Sequence, residues 1–130
     1  MTMKDILAEK LIQIKNAEKK GEQECILKGA SKLLKDILTV MNKEGYIGEF
    51  EIIDDGRGGL LKLSLIGQIN MAGAIKPRFS AKMSDFEKFE KRYLPAKNFG
   101  ILILSTIKGI MTHEQAKKAG IGGQLLAYVY

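Results

Sequence analysis

Residues 99–130 constrain this chain more than any other stretch, because most of their parts mark their own ends. An apolar run, Ile101-Leu102-Ile103-Leu104, reads as a strand and passes into the polar turn Ser105-Thr106-Ile107-Lys108-Gly109. One short helix follows. Thr112 is placed to accept from the free amide of Gln115 while the Gln115 side chain reaches back, a reciprocal capping box. Lys117 and Lys118 fall in the last turn, where cations suit the helix dipole, and Gly120 supplies the left-handed residue that ends helices. A glycine cluster and a second apolar run, residues 125–130, complete the segment. Burying both apolar runs leaves the turn and the glycines at the strand ends, facing outward. Those ends hold two hydroxyls (Ser105, Thr106), a cation (Lys108) and three glycines (Gly109, Gly122, Gly123) where another backbone can come close. No acidic side chain lies between Glu90 and Glu114, or after Glu114. Hydroxyls, amides and cations without carboxylates suit a phosphodiester partner, since each donates to phosphate or sugar oxygens.

Charge distribution sharpens that reading. The net charge is +6, yet residues 1–66 carry 11 Lys/Arg against 11 Asp/Glu, while residues 67–130 carry 10 against 4. The excess lies in the second half, which is expected to supply more of the attraction to a polyanion. At 130 residues, 45% hydrophobic and 28% charged, the chain suits one compact domain or two small lobes and argues against disorder. No apolar run is long enough to span a bilayer, and the N-terminus lacks a signal peptide's apolar core. The one cysteine, Cys25, cannot form an internal disulfide; it reads as a small hydrophobe in a strand, in a reducing cytoplasm.

From the beginning, a first helix is expected over residues 3–19, capped by Thr2, with Asp5 in its first turn and Gly21 at its end. Leu7, Leu11 and Ile14 recur at helical spacing, widened by Ile6, Ala8 and Ala17; Lys15 and Asn16 sit near its C-terminal end. Residues 22–28 read as an edge strand with Cys25 and Leu27 facing one side. Ser31 caps a second helix with the stripe Leu33, Leu34, Ile37, Leu38 and Met41, closed by Gly45. Its free N-terminal amides, beside Lys28 and Lys32, offer a phosphate seat. A hairpin follows: residues 47–53, a turn cluster at 54–59, then Leu61, Leu63 and Leu65 alternating with Lys62 and Ser64. The glycines of that cluster belong to the turn; no helix follows, and Asp54 and Asp55 would repel a phosphate. Residues 67–73 are the least patterned and mark a lobe boundary. A strand at 74–79 holds Pro77 at an edge or end, and Ser84 with Glu87 opens a helix. Phe86, Phe89 and Tyr93 form the buried face of that helix, and Pro95 halts it.

The string from Ser105 to Thr112, followed by Ala116-Lys117-Lys118-Ala119-Gly120-Ile121-Gly122-Gly123-Gln124, resembles the C-terminal signature of the small-subunit ribosomal protein eight family. Asp5, Ala8, Leu11, Ile14, Lys15, Asn16 and Ala17 resemble that family's first helix, where the basic residue and Asn meet RNA; Ser31-Lys32-Leu33 resembles the entry to its second. Lys76-Pro77-Arg78-Phe79 and the following helix are similar to the archaeal and eukaryotic branch. The resemblance implies a primary binder of an internal helix in the central domain of small-subunit ribosomal RNA, aiding assembly beside neighbouring small-subunit proteins. It implies contacts from Ser105, Thr106, Ile107, Lys108, Gly109, Gly122, Gly123, Gln124, Lys15, Asn16, Lys28, Ser31, Lys32, Lys76 and Arg78.

Catalysis has little to build on. The one histidine, His113, falls at the first position of a short surface helix; no motif places a carboxylate beside it, and Ser105 and Thr106 lie outside any nucleophile elbow. Soft metal ligands are too few. The expected architecture is α/β of the α+β type: an N-terminal α-β-α-β-β lobe over 1–67 and a C-terminal mixed α/β RNA-binding lobe over 68–130. Each lobe is a small, mostly antiparallel or mixed sheet with packed helices. No cofactor, small-molecule substrate or membrane is expected. The rival readings are a sequence-nonspecific polyanion-binding module and a small hydrolase.

Overall fold

The structure, a computed structural model, describes residues 6–28, 32–53, 56, 59–75, 79–96 and 99–130. The chain forms two compact units, Met1–Ala72 and Gly73–Tyr130, an α+β arrangement of helices on two antiparallel sheets.

In the first unit α1 (Ile6–Lys19) packs on β1 (Glu24–Lys28), and α2 (Lys32–Lys43) packs on β2 (Ile47–Ile53); β3 (Leu60–Leu65) runs between the two strands in the order β1-β3-β2. Leu7, Leu11 and Ile14 of α1 and Leu34, Ile37, Leu38 and Met41 of α2 are buried, as are Cys25, Leu27, Leu61 and Leu63 on the strands. Alternation decides the sheet's two faces: the same register that buries Cys25 against Leu63 turns Ile26 and Lys62 outward. Burial pushes the Cys25 thiol pKa up, with Glu22 adding to it, so the group stays an inert apolar filler. Both helices end as the glycines dictate. Gly21 and Gly45 adopt φ of 77° and 81°. Asn42 then ties the end of α2 to the next strand by donating to the Gly48 carbonyl at 2.9 Å.

The second sheet has the order β4-β8-β6-β7, from β4 (Ala72–Ala74), β6 (Ile101–Thr106), β7 (Gly109–Thr112) and β8 (Gly123–Val129); β5 (Ser80–Ala81) also pairs with β8. Since β6 occupies one edge of β8, β4 and β5 share the other. Strand residues therefore stand at Ala72–Ala74 and Ser80–Ala81, where the sequence suggests a single strand over 74–79. Two short pieces are enough because the Ile75 N–H donates to the Leu126 carbonyl and Phe79 accepts from the Leu125 N–H. The core gathers Leu102, Leu104, Leu125, Phe86, Phe89, Leu94 and Ala116, with Tyr93, Tyr128 and Tyr130 at its margin.

α3 (Phe86–Tyr93) is preceded by one 3-10 turn, Met83–Asp85. The expected Ser84–Glu87 box is replaced by a bond two residues earlier: the Asp85 carboxylate accepts from the Lys82 N–H at 3.1 Å. Ser84 lies inside the 3-10 turn, whereas Lys82 has the extended backbone a cap needs. Leu94, extended ahead of Pro95, ends the helix. α4 (His113–Ala119) keeps its reciprocal box: Gln115 N–H to Thr112 Oγ1 at 3.2 Å, Thr112 N–H to Gln115 Oε1 at 3.0 Å, and Gly120 left-handed at the far end. Two boundaries differ from the sequence reading. A strand, β7, stands between the polar turn and α4, and β8 begins at Gly123 instead of 125. Thr2, Asp5 and the Ser31 cap, like Asp54, Asp55, Arg57 and Gly58 of the hairpin turn, lie outside the described residues. Among the described residues no helix is long and apolar enough to cross a membrane.

Candidate nucleic-acid interface

β6 carries the polar rim out of the core. Ile101–Leu104 are buried, while Ser105 and Thr106 are half-buried as the strand passes the sheet's end. Thr106 pairs with Gly109, so the reversal is made by two residues, Ile107 and Lys108. Ile107 is 92% exposed. The turn is stapled by one side chain: Thr106 Oγ1 donates to the Gly109 carbonyl at 2.8 Å and accepts from the Lys108 N–H at 3.1 Å. Thr106 therefore spends its proton inside the protein, a correction to the reading of two outward donors. Ser105 is the hydroxyl of the pair left without an internal partner among the described residues.

On the other edge of β6, Ser105 pairs with Gln124. The glycines there serve the fold. A methyl group on Gly123 would strike the Ser105 carbonyl oxygen and sit 2.9 Å from Thr106 Cγ2; one on Gly122 would strike the Ala81 carbonyl oxygen. The backbone these two glycines admit is the chain's own. Gly109 is free of such crowding but adopts φ of 118°, which disfavours any side chain. The structure thus brings together Ser105, Thr106, Ile107, Lys108, Gly109, Gly122, Gly123 and Gln124 on one rim.

His113 occupies a different environment from the surface helix end expected for it. It is 3% exposed. Nδ1 accepts from the Leu102 N–H at 3.1 Å, and Nε2 lies 3.1 Å from Glu90 Oε1, an oxygen that also receives Lys117 Nζ at 2.6 Å. A ring that accepts at Nδ1 carries its proton on Nε2, so the neutral imidazole donates to Glu90. Burial lowers the His113 pKa, against the opposing pull of Glu90. A carboxylate does meet this imidazole, but inside the packing of α3, α4 and β6, with no nucleophile in the group. The signal for it was in the hairpin. A two-residue turn at 107–108 pairs Ile103 with Thr112 and sets residue 113 opposite Leu102. On the same unit, the Arg92 guanidinium lies 5.4 Å from the Phe79 ring and 5.5 Å from that of Tyr93, which holds this cation on the aromatic margin.

In the first unit Lys15 and Asn16, 100° apart on the helix, open on different grooves. Lys15 lines one with Lys19, Ile69, Asn70 and Met71; Asn16 lines another with Gln13, Lys20 and Glu22. Lys28 ends β1 and Lys32 opens α2, both exposed. Ser31, Lys76 and Arg78 lie outside the described residues.

Among the described residues no group of three or more His, Cys, Asp and Glu is placed to hold a metal ion. Residues 5–130 match a family described as Ribosomal protein S8, a structural family of the ribosome and not a family of enzymes. With nearly the whole length matched, the chain belongs to the ribosomal protein S8 family and is a small-subunit ribosomal protein that binds ribosomal RNA.

Proposed function

We propose that the chain binds, as a primary protein, an internal helix in the central domain of small-subunit ribosomal RNA, and reads it with the rim around β6. It would act in the cytoplasm, within the ribosome, and neighbouring small-subunit proteins would join after it. The Lys76-Pro77-Arg78-Phe79 string supports the archaeal and eukaryotic branch.

One observation carries the reading: the rim is exposed and free of carboxylates. Between Lys91 and His113 the sequence has no acid, and Glu90, the nearest one before it, is turned inward onto His113 and Lys117. The Ser105 hydroxyl and the exposed backbone of the turn then meet base edges and 2′-hydroxyls, with Gly109 and Gln124 beside them, and exposed Ile107 meets the apolar face of a sugar or base. A-form RNA exposes such edges where pairing is irregular, so the target helix contains a bulge or non-standard pairs. Lys108, Lys15, Lys28, Lys32, Lys76 and Arg78 contact phosphates, and Asn16 and Ser31 the sugar–phosphate edge. The hydroxyls discriminate and the cations attract. The second unit, Gly73–Tyr130, sets specificity.

Filter binding to an internally looped RNA helix, with random duplex as competitor, tests this. Ser105→Ala is expected to weaken the looped helix by roughly 1–2 kcal/mol, the scale of one unmatched polar partner, and random duplex much less. Equal affinity of the wild-type chain for both RNAs would instead support a nonspecific polyanion binder.

A further inference from the structure

We propose that His113 is a positioning residue for the β6–β7 hairpin, and that the chain's grip on RNA depends on this imidazole being neutral. The inference rests on the reading that the hairpin rim meets RNA. β7 is a four-residue edge strand with β6 as its neighbour. Its rungs run from Ile103–Thr112 to Thr106–Gly109, and the next would pair Leu102 with residue 113. There the chain leaves the sheet to begin α4, which would strand the amide of a fully buried strand residue. The His113 ring takes over that rung by accepting the Leu102 N–H at Nδ1. Its other nitrogen meets Glu90 on α3. One side chain thus clamps the open end of the hairpin to β6 and α3, four rungs below the exposed tip.

Protonation puts a hydrogen on Nδ1, where it faces the Leu102 N–H donor to donor. That contact must open, and β7 loses its lower anchor. The charged groups around the ring are Glu90 from α3 and Lys117 and Glu114 from α4; the Leu102 amide from β6 is uncharged and meets Nδ1 as a donor. Glu90 and Glu114 favour the cation; burial and Lys117 oppose it. Burial is the largest influence, so the neutral ring is the resting state.

The test measures affinity for the looped RNA helix from about pH 7.5 down to about pH 5, the range in which a histidine titrates, at fixed ionic strength and with folding checked by circular dichroism. Affinity is expected to fall roughly fivefold to tenfold, the scale of one buried hydrogen bond. His113→Ala weakens binding throughout. His113→Asn, whose Oδ1 can accept from Leu102 but cannot titrate, recovers most of that loss and gives a flat profile. Glu90→Gln moves the midpoint to lower pH, because the carboxylate that favours the cation is gone. A flat wild-type profile, or parallel wild-type and His113→Asn profiles, would overturn the proposal. Amide hydrogen exchange on the RNA-free chain separates this from the reading it rests on. Protection factors at Leu102, Leu104 and Met111, whose amides face the β6–β7 seam, fall with acid in the wild type and not in His113→Asn, whichever RNA is preferred; identical behaviour of the two chains refutes the clamp.

Discussion

Thr106 shows how a residue chosen by its chemistry can be spent on geometry. Its hydroxyl closes the turn by giving a proton to the Gly109 carbonyl and taking one from the Lys108 amide. Thr106→Val is therefore expected to cost about 1–2 kcal/mol in urea unfolding and to weaken the looped RNA more than random duplex, whereas Thr106→Ser keeps both effects small. Gly123 is bound just as firmly by its surroundings. Gly123→Val drives a side chain into the Ser105 carbonyl, which cannot move without breaking the β6–β8 ladder, and circular dichroism should report a loss of roughly 3 kcal/mol or more. His113 fixes a pH dependence whose sign follows from its burial. Its native pKa lies below the ordinary 6.5, so as acid is added the unfolded chain takes up the proton first. The contribution is complete above about pH 6.5 and is lost as the pH falls toward the lower native value. Thermal unfolding of the wild type should drop through that window more steeply than that of His113→Asn.

At the scale of elements, the two helix starts of the second unit teach opposite lessons. α4 begins where its capping pair says it should, since Thr112 is extended and Gln115 is the third helical residue. α3 has no side-chain cap of its own: the extended residue is Lys82, and a 3-10 turn closed by Asp85 comes between it and the helix. The pair Asp85→Ala and Ser84→Ala distinguishes these: the first should cost about 0.5–1 kcal/mol in urea melts and the second near zero. Strand β8 shows a second kind of event. Ile103 pairs with Ala127 and Leu104 with Leu125, which leaves Leu126 as an extra residue, a bulge. Leu125, Leu126 and Ala127 are consecutively buried for that reason as well as for the covering of the sheet, and no alternation in the sequence announces it.

For the molecule as a whole, charge and structure are distributed differently. The two units are each built of a sheet and helices, yet the first is electrically balanced and the second holds the cationic excess. If phosphate attraction follows the excess, Lys108→Ala lowers the slope of log affinity against log salt by about one unit, and Lys43→Ala, in the balanced unit, leaves it nearly unchanged. Filter binding across a potassium chloride series measures both. A slope equally sensitive to the two lysines would mean that attraction is spread over the chain.

Periodicity, caps and glycines are local properties, and they carried most of the fold. The stripes of α1 and α2, the alternating Leu61, Leu63 and Leu65, and the stop at Gly120 all arise from residues within a few positions of one another, whose physics is the same in any context. The outward polar rim also follows from the sequence, since two apolar runs that must be buried force what lies between them to the surface. Folding decided what depends on partners distant along the chain. Glu90 and His113 meet across 23 positions, β5 and β8 across more than 40, and the space that makes Gly122 obligatory is set by Ala81. No local pattern encodes those distances; they exist once two strands and two helices have closed on the same core. That closure turns the lone histidine from a surface residue into the anchor of the hairpin.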